Sequence, residues 1–345
     1  MKQCGKQTAC LENPVPIGSS ACVAGKKEGQ GPLGATLDTQ YEDGLLGLKS
    51  WEQAESAMQK DALNLALSKG KYTESSLRFI LAGDLLGQCI GSAFGIRGCA
   101  VPFLGLYGAC STMAQSLGLG ALLVDGGYAD RVGVVTSSHF CGSERQFRLP
   151  LEYGGQRAPT AQWTVTGAGA AILEKPSAVS GCEADSQPQV SHVTFGKIVD
   201  MGIKDVSYMG AAMAPAAFDT LSAHFADCGT APEDYDLIVT GDLGSTGADI
   251  LRDLFAKNGV SLGSQYTDCG VMIFDLNDTD AGDGGSGCGC SAVVLCGHIL
   301  NGMRDRQWRN VLFCGTGALF STVSAQQGES IPSICHAVRI VAPGS

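Results

Sequence analysis

Apolar and polar positions along this chain follow two alternating rhythms. From Ser50 to Gly70, Trp51, Ala54, Met58, Leu65 and Ala66 recur near one face at helical spacing. Ser50 with Gln53 three residues on predicts a capping box at the helix start, and Gly70 predicts its end. Phe79-Ile80-Leu81-Ala82 is a continuous apolar run that predicts a buried strand, closing on Gly83-Asp84. Val15 to Val23 predicts a first strand, while residues 1–15, polar and carrying Pro14, are expected to form a loosely held arm. The stretch Leu106 to Leu117 reads as a tight glycine turn entering a helix. Its continuation, Gly118 to Val124, holds no charge before Asp125, and a helix apolar on all sides is a central, buried one.

This grammar returns later in the chain. Ala216 to Cys228, following Pro215, predicts a helix closed by Gly229, and Leu237-Ile238-Val239-Thr240 predicts a strand ending in Gly241-Asp242. A shift of 158 positions carries Asp84 onto Asp242, Asp61 onto Asp219 and Leu63 onto Leu221 without gaps. Cys110-Ser111 echoes Cys290-Ser291, and Gly167-Ala168-Gly169-Ala170 echoes Gly315-Thr316-Gly317-Ala318. Together these predict an internal duplication into two similar halves, 1–175 and 176–345. Glu174 to Pro188 lacks any apolar period and reads as a linker or surface insertion. Asn277 to Gly287, rich in Gly and Asp, reads as a solvated turn that lacks the closing Glu of a calcium loop. Strands alternating with helices argue an α/β fold of mixed sheets covered by helices, with ligands expected where strand ends meet glycine turns.

Composition narrows the function classes. The 345 residues are 44% hydrophobic and 17% charged, which fits a large globular core. A net charge of −11 argues against broad nucleic-acid binding. No apolar run approaches the ~18 residues of a membrane span. The first residues, Met1 to Lys6, lack the apolar core of a signal peptide, so the chain is expected to stay inside the cell with most of its 15 cysteines reduced. Gly25 to Gly34 lacks the order of a phosphate loop, and the cysteine spacings lack the pairs of a zinc site.

Cys110 is the candidate for chemistry. Either it is a plain buried thiol, or it lies at a helix mouth where the positive end of the dipole favours thiolate. His139 ends the apolar run Val132 to Thr136; it either points into a pocket as a donor or caps the strand end. Arg145, Arg148 and Arg157 follow closely. Their guanidinium forks suit carboxylates, or they are solvated and pair with Glu144 and Glu152. Asp84 and Asp242 are read first as holding loops through N–H bonds.

A cysteine opening a buried helix in the first half and a G-x-G turn near the end of a duplicated α/β chain resemble the thiolase fold of condensing enzymes. Phe79 to Gln88, Gly105 to Met113, Ser137 to Phe140 and Arg157 to Gly167 resemble, more narrowly, the stage V sporulation protein AD family, from about Val15 to Val341. The thiolase likeness implies layers in the order αβαβα and a homodimer. It also implies a nucleophile at Cys110, with a histidine and a further His or Asn in the second half. The turn expected to carry the histidine reads Gly241-Asp242-Leu243-Gly244, and the later position reads Gly287-Cys288-Gly289-Cys290-Ser291, so that set is incomplete. His298 and Asn301 lie further on, inside an apolar helical run.

The narrower likeness implies a non-catalytic role in sporulation. It implies binding of dipicolinic acid (pyridine-2,6-dicarboxylate), which spores accumulate with calcium, beside membrane proteins of the same uptake machinery. The expected place is the forespore or spore, peripheral on the inner membrane through those partners. On turn positions, the residues expected to bind the ligand are Cys110, Thr112, His139, Arg145 and Arg148, together with Asp242, Gly315 and Gly317. An acyltransferase or condensing enzyme working through Cys110 is the alternative.

Overall fold

The computed structural model describes residues 2–147, 158–176, 187–277 and 281–343. Ten principal strands and the helices between them carry the fold. In the first half these are β1 (Thr8–Ala24), α1 (Trp51–Lys69), β2 (Phe79–Gly83), β3 (Phe103–Gly105), α2 (Thr112–Asp125), β4 (Arg131–Ser138), α3 (Phe140–Phe147) and β5 (Gly167–Glu174). In the second they are β6 (Gln189–Phe195), α4 (Met209–Cys228), β7 (Leu237–Thr240), α5 (Gly244–Lys257), β8 (Tyr266–Asp268), α6 (Cys288–Val294), β9 (Asn310–Ala318) and β10 (Ser333–Val341).

The strand order is β8-β7-β9-β10-β6-β1-β5-β4-β2-β3. The two halves of that row repeat one topology. β2 pairs parallel with β3 and β4, and β5 pairs antiparallel with β4 and β1. Likewise β7 pairs parallel with β8 and β9, and β10 pairs antiparallel with β9 and β6. The seam is β1, which bends. Its Thr8–Cys10 stretch pairs with β6, and its Ile17–Ala24 stretch pairs with β5.

Alternating side chains of each strand feed different cores. Ile80 and Ala82 of β2 pack under α1, while Leu81 faces α2. Ile238 of β7 packs under α4 and α5, while Val239 faces the centre. Helices α2 and α6 lie between the sheets, where Met113, Leu117, Ala121, Val293 and Leu295 are fully or almost fully buried. The layers therefore run α1, sheet, α2 with α6, sheet, α4 with α5. Each large aliphatic residue in these layers contributes about 1.5–3 kcal/mol by leaving water.

Several sequence expectations change in the folded chain. The N-terminal arm is not loose. Lys6, Gln7 and Thr8 donate their backbone N–H groups to the Asp227 carboxylate at 2.9–3.0 Å, and Leu11 is buried in the central core. At the start of α1 the Ser50 hydroxyl accepts the Gln53 N–H, but the Gln53 side chain accepts from Lys49 rather than Ser50, so the capping box is displaced by one residue. Helix α4 starts at Met209, ahead of Pro215. Proline removes one internal donor, and the small residues around it keep the helix packed. The Gly229 turn does close that helix, at φ +64°.

The glycine echo pairs unlike places. Gly167 opens β5, whose topological counterpart is β10, whereas Gly315 lies near the end of β9, the counterpart of β4. Nor is Asp283 solvated. It is buried and caps α5, accepting from the Thr246 N–H at 3.0 Å and from the Ser245 and Thr246 hydroxyls. Residues 177–186 and 278–280, within the two stretches read as linker and turn, lie outside the described residues.

Candidate functional site

The site grows from the turn before α2. Ala109 adopts a left-handed φ of +50°, a conformation that costs a non-glycine residue about 1 kcal/mol. Hydroxyls offset that strain. Ser111 donates to the Gly108 carbonyl and Thr112 to the Ala109 carbonyl, each at 2.6 Å, while Thr112 accepts the Gly108 N–H at 3.1 Å. Thr112 is thus fully occupied in holding the turn. Cys110 stands out from this turn into a cleft.

The end of β9 runs directly against the turn. A Cβ at Gly315 would lie 2.8 Å from that of Ala114 and 3.0 Å from the Ser111 carbonyl oxygen. A Cβ at Gly317 would overlap the Gly108 carbonyl oxygen and lie 3.0 Å from the Ser111 nitrogen. Only glycine permits this approach. Thr316, between them, turns to the loop after β7. Its hydroxyl donates to Asp242 Oδ1 at 2.7 Å and accepts the Asp242 N–H at 3.1 Å.

Asp242 also accepts the Gly287 N–H at 2.9 Å, and its charge acts on the nearby Cys110 thiol. Burial pushes its pKa up to about 7, against the Thr316 and Gly287 donors that favour its charge. Cys110 is half-buried at the cleft wall, where loss of hydration raises its thiol well above the usual range and the Asp242 charge raises it further. Of the two readings of Cys110, the protonated thiol is therefore the one the site favours. The dipole at the mouth of α2 is weaker than desolvation plus a facing carboxylate.

The cleft at Cys110 is narrow, about 60 Å³, and mostly apolar. Leu85, Tyr107, Phe147, Met209, Met213 and Phe320 supply its walls; Phe147 and Phe320 meet at 5.9 Å between ring centres. Its polar groups are the Tyr107 hydroxyl, Ser143, Glu144, Thr164 and Ser286 besides Cys110, and no Lys, Arg or His is among the described lining residues. Ser143 is buried and its hydroxyl has no hydrogen-bond partner among the described residues. Such a group costs about 1–3 kcal/mol until an acceptor arrives.

The fold thus brings Cys110, Asp242, Gly315 and Gly317 together and leaves other expected residues apart. His139 is buried away from the cleft lining, with its Nε2 2.8 Å from the Gly44 carbonyl oxygen, and desolvation lowers its pKa. Arg145 is exposed, ion-paired with Glu52 and set over the Trp51 ring at 5.4 Å. Arg148 and Arg157 lie outside the described residues. Asp84, the counterpart of Asp242, holds its loop by accepting from the Leu86 and Ser92 N–H groups at 2.9 and 2.7 Å. The aromatic walls and Ser143 escaped the sequence reading, since they come from α3 and from the segment after β9. Ser286 could have been found: it directly precedes Gly287, whose φ of +96° marks the turn into α6.

A doubled five-strand topology, two helices enclosed between sheets and a cysteine turn covered by a glycine strand end define a thiolase-like protein. The chain superposes on 3-oxoacyl-[acyl-carrier-protein] synthase III from Aquifex aeolicus VF5 with a TM-score of 0.57 and 11% identity, covering 95% of this chain and 99% of that one. A variant of OleA from Xanthomonas campestris gives 0.62 at 14% identity, covering 96% and 99%. These likenesses are of fold. The stage V sporulation protein AD (SpoVAD) family matches residues 5–341. Stage V sporulation protein AD of Bacillus subtilis (strain 168) is 43% identical over 338 residues, which cover 98% of this chain and 97% of that one. The chain belongs to the stage V sporulation protein AD family and is a sporulation protein. None of its described helices is long and apolar enough to cross a membrane.

Proposed function

We propose that this protein is a non-catalytic receptor for dipicolinic acid, which it holds in the Cys110 cleft and passes toward the developing spore. The observation that carries this reading is the buried Asp242 carboxyl whose charge acts on the Cys110 thiol. Where a condensing enzyme needs a base, a buried carboxyl faces the thiol and keeps it protonated. Tyr107, Phe147 and Phe320 form an apolar slot suited to a flat ring, and the hydroxyls of Ser143, Thr164 and Ser286 can meet its carboxylates. Membrane proteins of the same machinery would act as its partners and keep it peripheral on the spore membrane. Calcium would enter only as the companion of the ligand.

Calorimetric titration tests the reading. Wild-type protein is expected to bind dipicolinate and to give no heat with acetyl-CoA, and Cys110→Ala is expected to bind dipicolinate more weakly. Absence of dipicolinate binding at millimolar concentration would end the receptor reading. One feature favours the acyltransferase alternative: a strained turn at Ala109 presents a thiol to a cleft. That reading requires an acyl adduct on Cys110 after incubation with acyl-CoA, visible by mass spectrometry.

The receptor is proposed to be a homodimer. β3 is an edge strand whose residues are all exposed, Leu104 by 42%, and the exposed Ile90 and Phe94 precede it in sequence. An exposed apolar edge strand invites pairing with a second copy. Sedimentation is expected to show a dimer for wild type and a monomer for Leu104→Asp; a wild-type monomer would remove the proposal.

A further inference from the structure

Ser143 brings to the cleft a buried hydroxyl that has no hydrogen-bond partner among the described residues. Ser143 sits on α3, one turn beyond His139, and its own N–H donates to the His139 carbonyl at 3.0 Å. A helical serine commonly returns its hydroxyl to that same carbonyl. Here it does not, and Ser143 Oγ meets no partner among the described residues although the residue is only 3% exposed. The residue lines the cleft beside Phe147, a ring suited to stacking. Other hydroxyl groups of the lining come from Thr164 and Ser286, which face one another in a short parallel ladder (Trp163–Thr164 with Gly285–Ser286). The hydroxyls of Ser143, Thr164 and Ser286 thus come from two parts of the fold, α3 and this ladder, while Tyr107 and Cys110 of the turn before α2 and Glu144 of α3 supply the other polar groups of the lining.

We propose that Ser143 is the specificity-determining donor of this cleft: its hydroxyl takes one carboxylate of a flat aromatic diacid, while the Thr164–Ser286 ladder takes the other. This rests on the receptor reading given above. It adds which carboxylate-binding group discriminates, and it predicts that the ligand must carry two acidic groups on one ring. A monoacid ring could satisfy the ladder or Ser143 but not both.

The test is calorimetric titration of dipicolinate and of pyridine-2-carboxylate into wild type, Ser143→Ala and Ser143→Thr, with melting temperatures of the unliganded proteins. Wild type is expected to prefer the diacid. Ser143→Ala is expected to bind dipicolinate about tenfold more weakly and to lose most of its preference over the monoacid. Ser143→Thr, which keeps the hydroxyl, is expected to recover part of the preference. Unliganded Ser143→Ala is expected to melt at or above the wild-type temperature, because it removes a buried group without a partner. Equal affinity of Ser143→Ala and wild type for dipicolinate would overturn this inference and leave the receptor reading standing. Wild type that binds no dipicolinate would remove both. A melting temperature several degrees lower in Ser143→Ala would show that the hydroxyl serves the fold, and would overturn the assignment.

Discussion

Gly317→Ala is expected to destabilise the protein by about 3 kcal/mol, since a methyl group forced into a close-packed site displaces backbone on both sides. The added Cβ would collide with the Gly108 carbonyl oxygen and press on the Ser111 nitrogen, both parts of the Cys110 turn. Neither is the end of a flexible side chain, so the strand or the turn must move. The turn already holds Ala109 at a left-handed φ and is secured by three hydroxyl contacts, so little slack remains. Denaturant titration measures the loss. Gly87→Ala is the control, because its Cβ would meet only the end of the Gln146 side chain at 3.8 Å, and its expected change is within about 0.5 kcal/mol. An unchanged midpoint for Gly317→Ala would show that the strand end does not press on the turn as described. Loss of dipicolinate binding in the surviving folded fraction would tie the same contact to the cleft.

Iodoacetamide at pH 7.5 is expected to alkylate Cys110 at least about tenfold more slowly than a free cysteine, because only thiolate reacts and burial beside Asp242 suppresses it. Peptide mass spectrometry reads each cysteine separately. The pH profile carries a sign. Asp242 is mostly protonated below its pKa of about 7 and charged above it. Its charge raises the thiol pKa further as the pH rises through that value. The Cys110 rate should therefore climb by less than tenfold per pH unit between about pH 6.5 and 8.5. Asp242→Asn removes the charge and is expected to speed alkylation and restore a tenfold slope. Wild-type Cys110 that reacts as fast as a free thiol would contradict the protonated thiol beside Asp242 and reopen acyl transfer.

The sequence made the repeat visible because the repeat is local grammar. A strand, a Gly-Asp turn and a helix keep their order whatever surrounds them, so a shift of 158 positions matched α1 to α4 and β2 to β7. It misplaced the glycine echo because G-x-G marks close approach of backbone, and close approach arises at more than one place in a sheet. The thiol's state could not be read locally either. Position at a helix mouth is written near Cys110, but the carboxyl that reverses its effect belongs to a loop more than a hundred residues away. The cleft walls share that difficulty, since Phe147, Met209 and Phe320 meet only after three separate segments converge. Residues named from turn positions, such as His139 and Arg145, lie at the right end of the sheet, yet their side chains are engaged by Gly44 and Glu52.

The bend in β1 sets a timetable for biosynthesis. Its Thr8–Cys10 stretch is translated well before its partner β6 and its anchor Asp227, which belong to the second half. At 5–20 residues per second, translation of the intervening roughly 180 residues takes about 10–40 s. During that interval the first half can close its own five strands while one end of β1 remains an open edge, a form prone to pairing with the wrong chain. A chaperone that holds this nascent stretch of β1 until β6 emerges would raise the yield of this protein more than one acting on the finished chain.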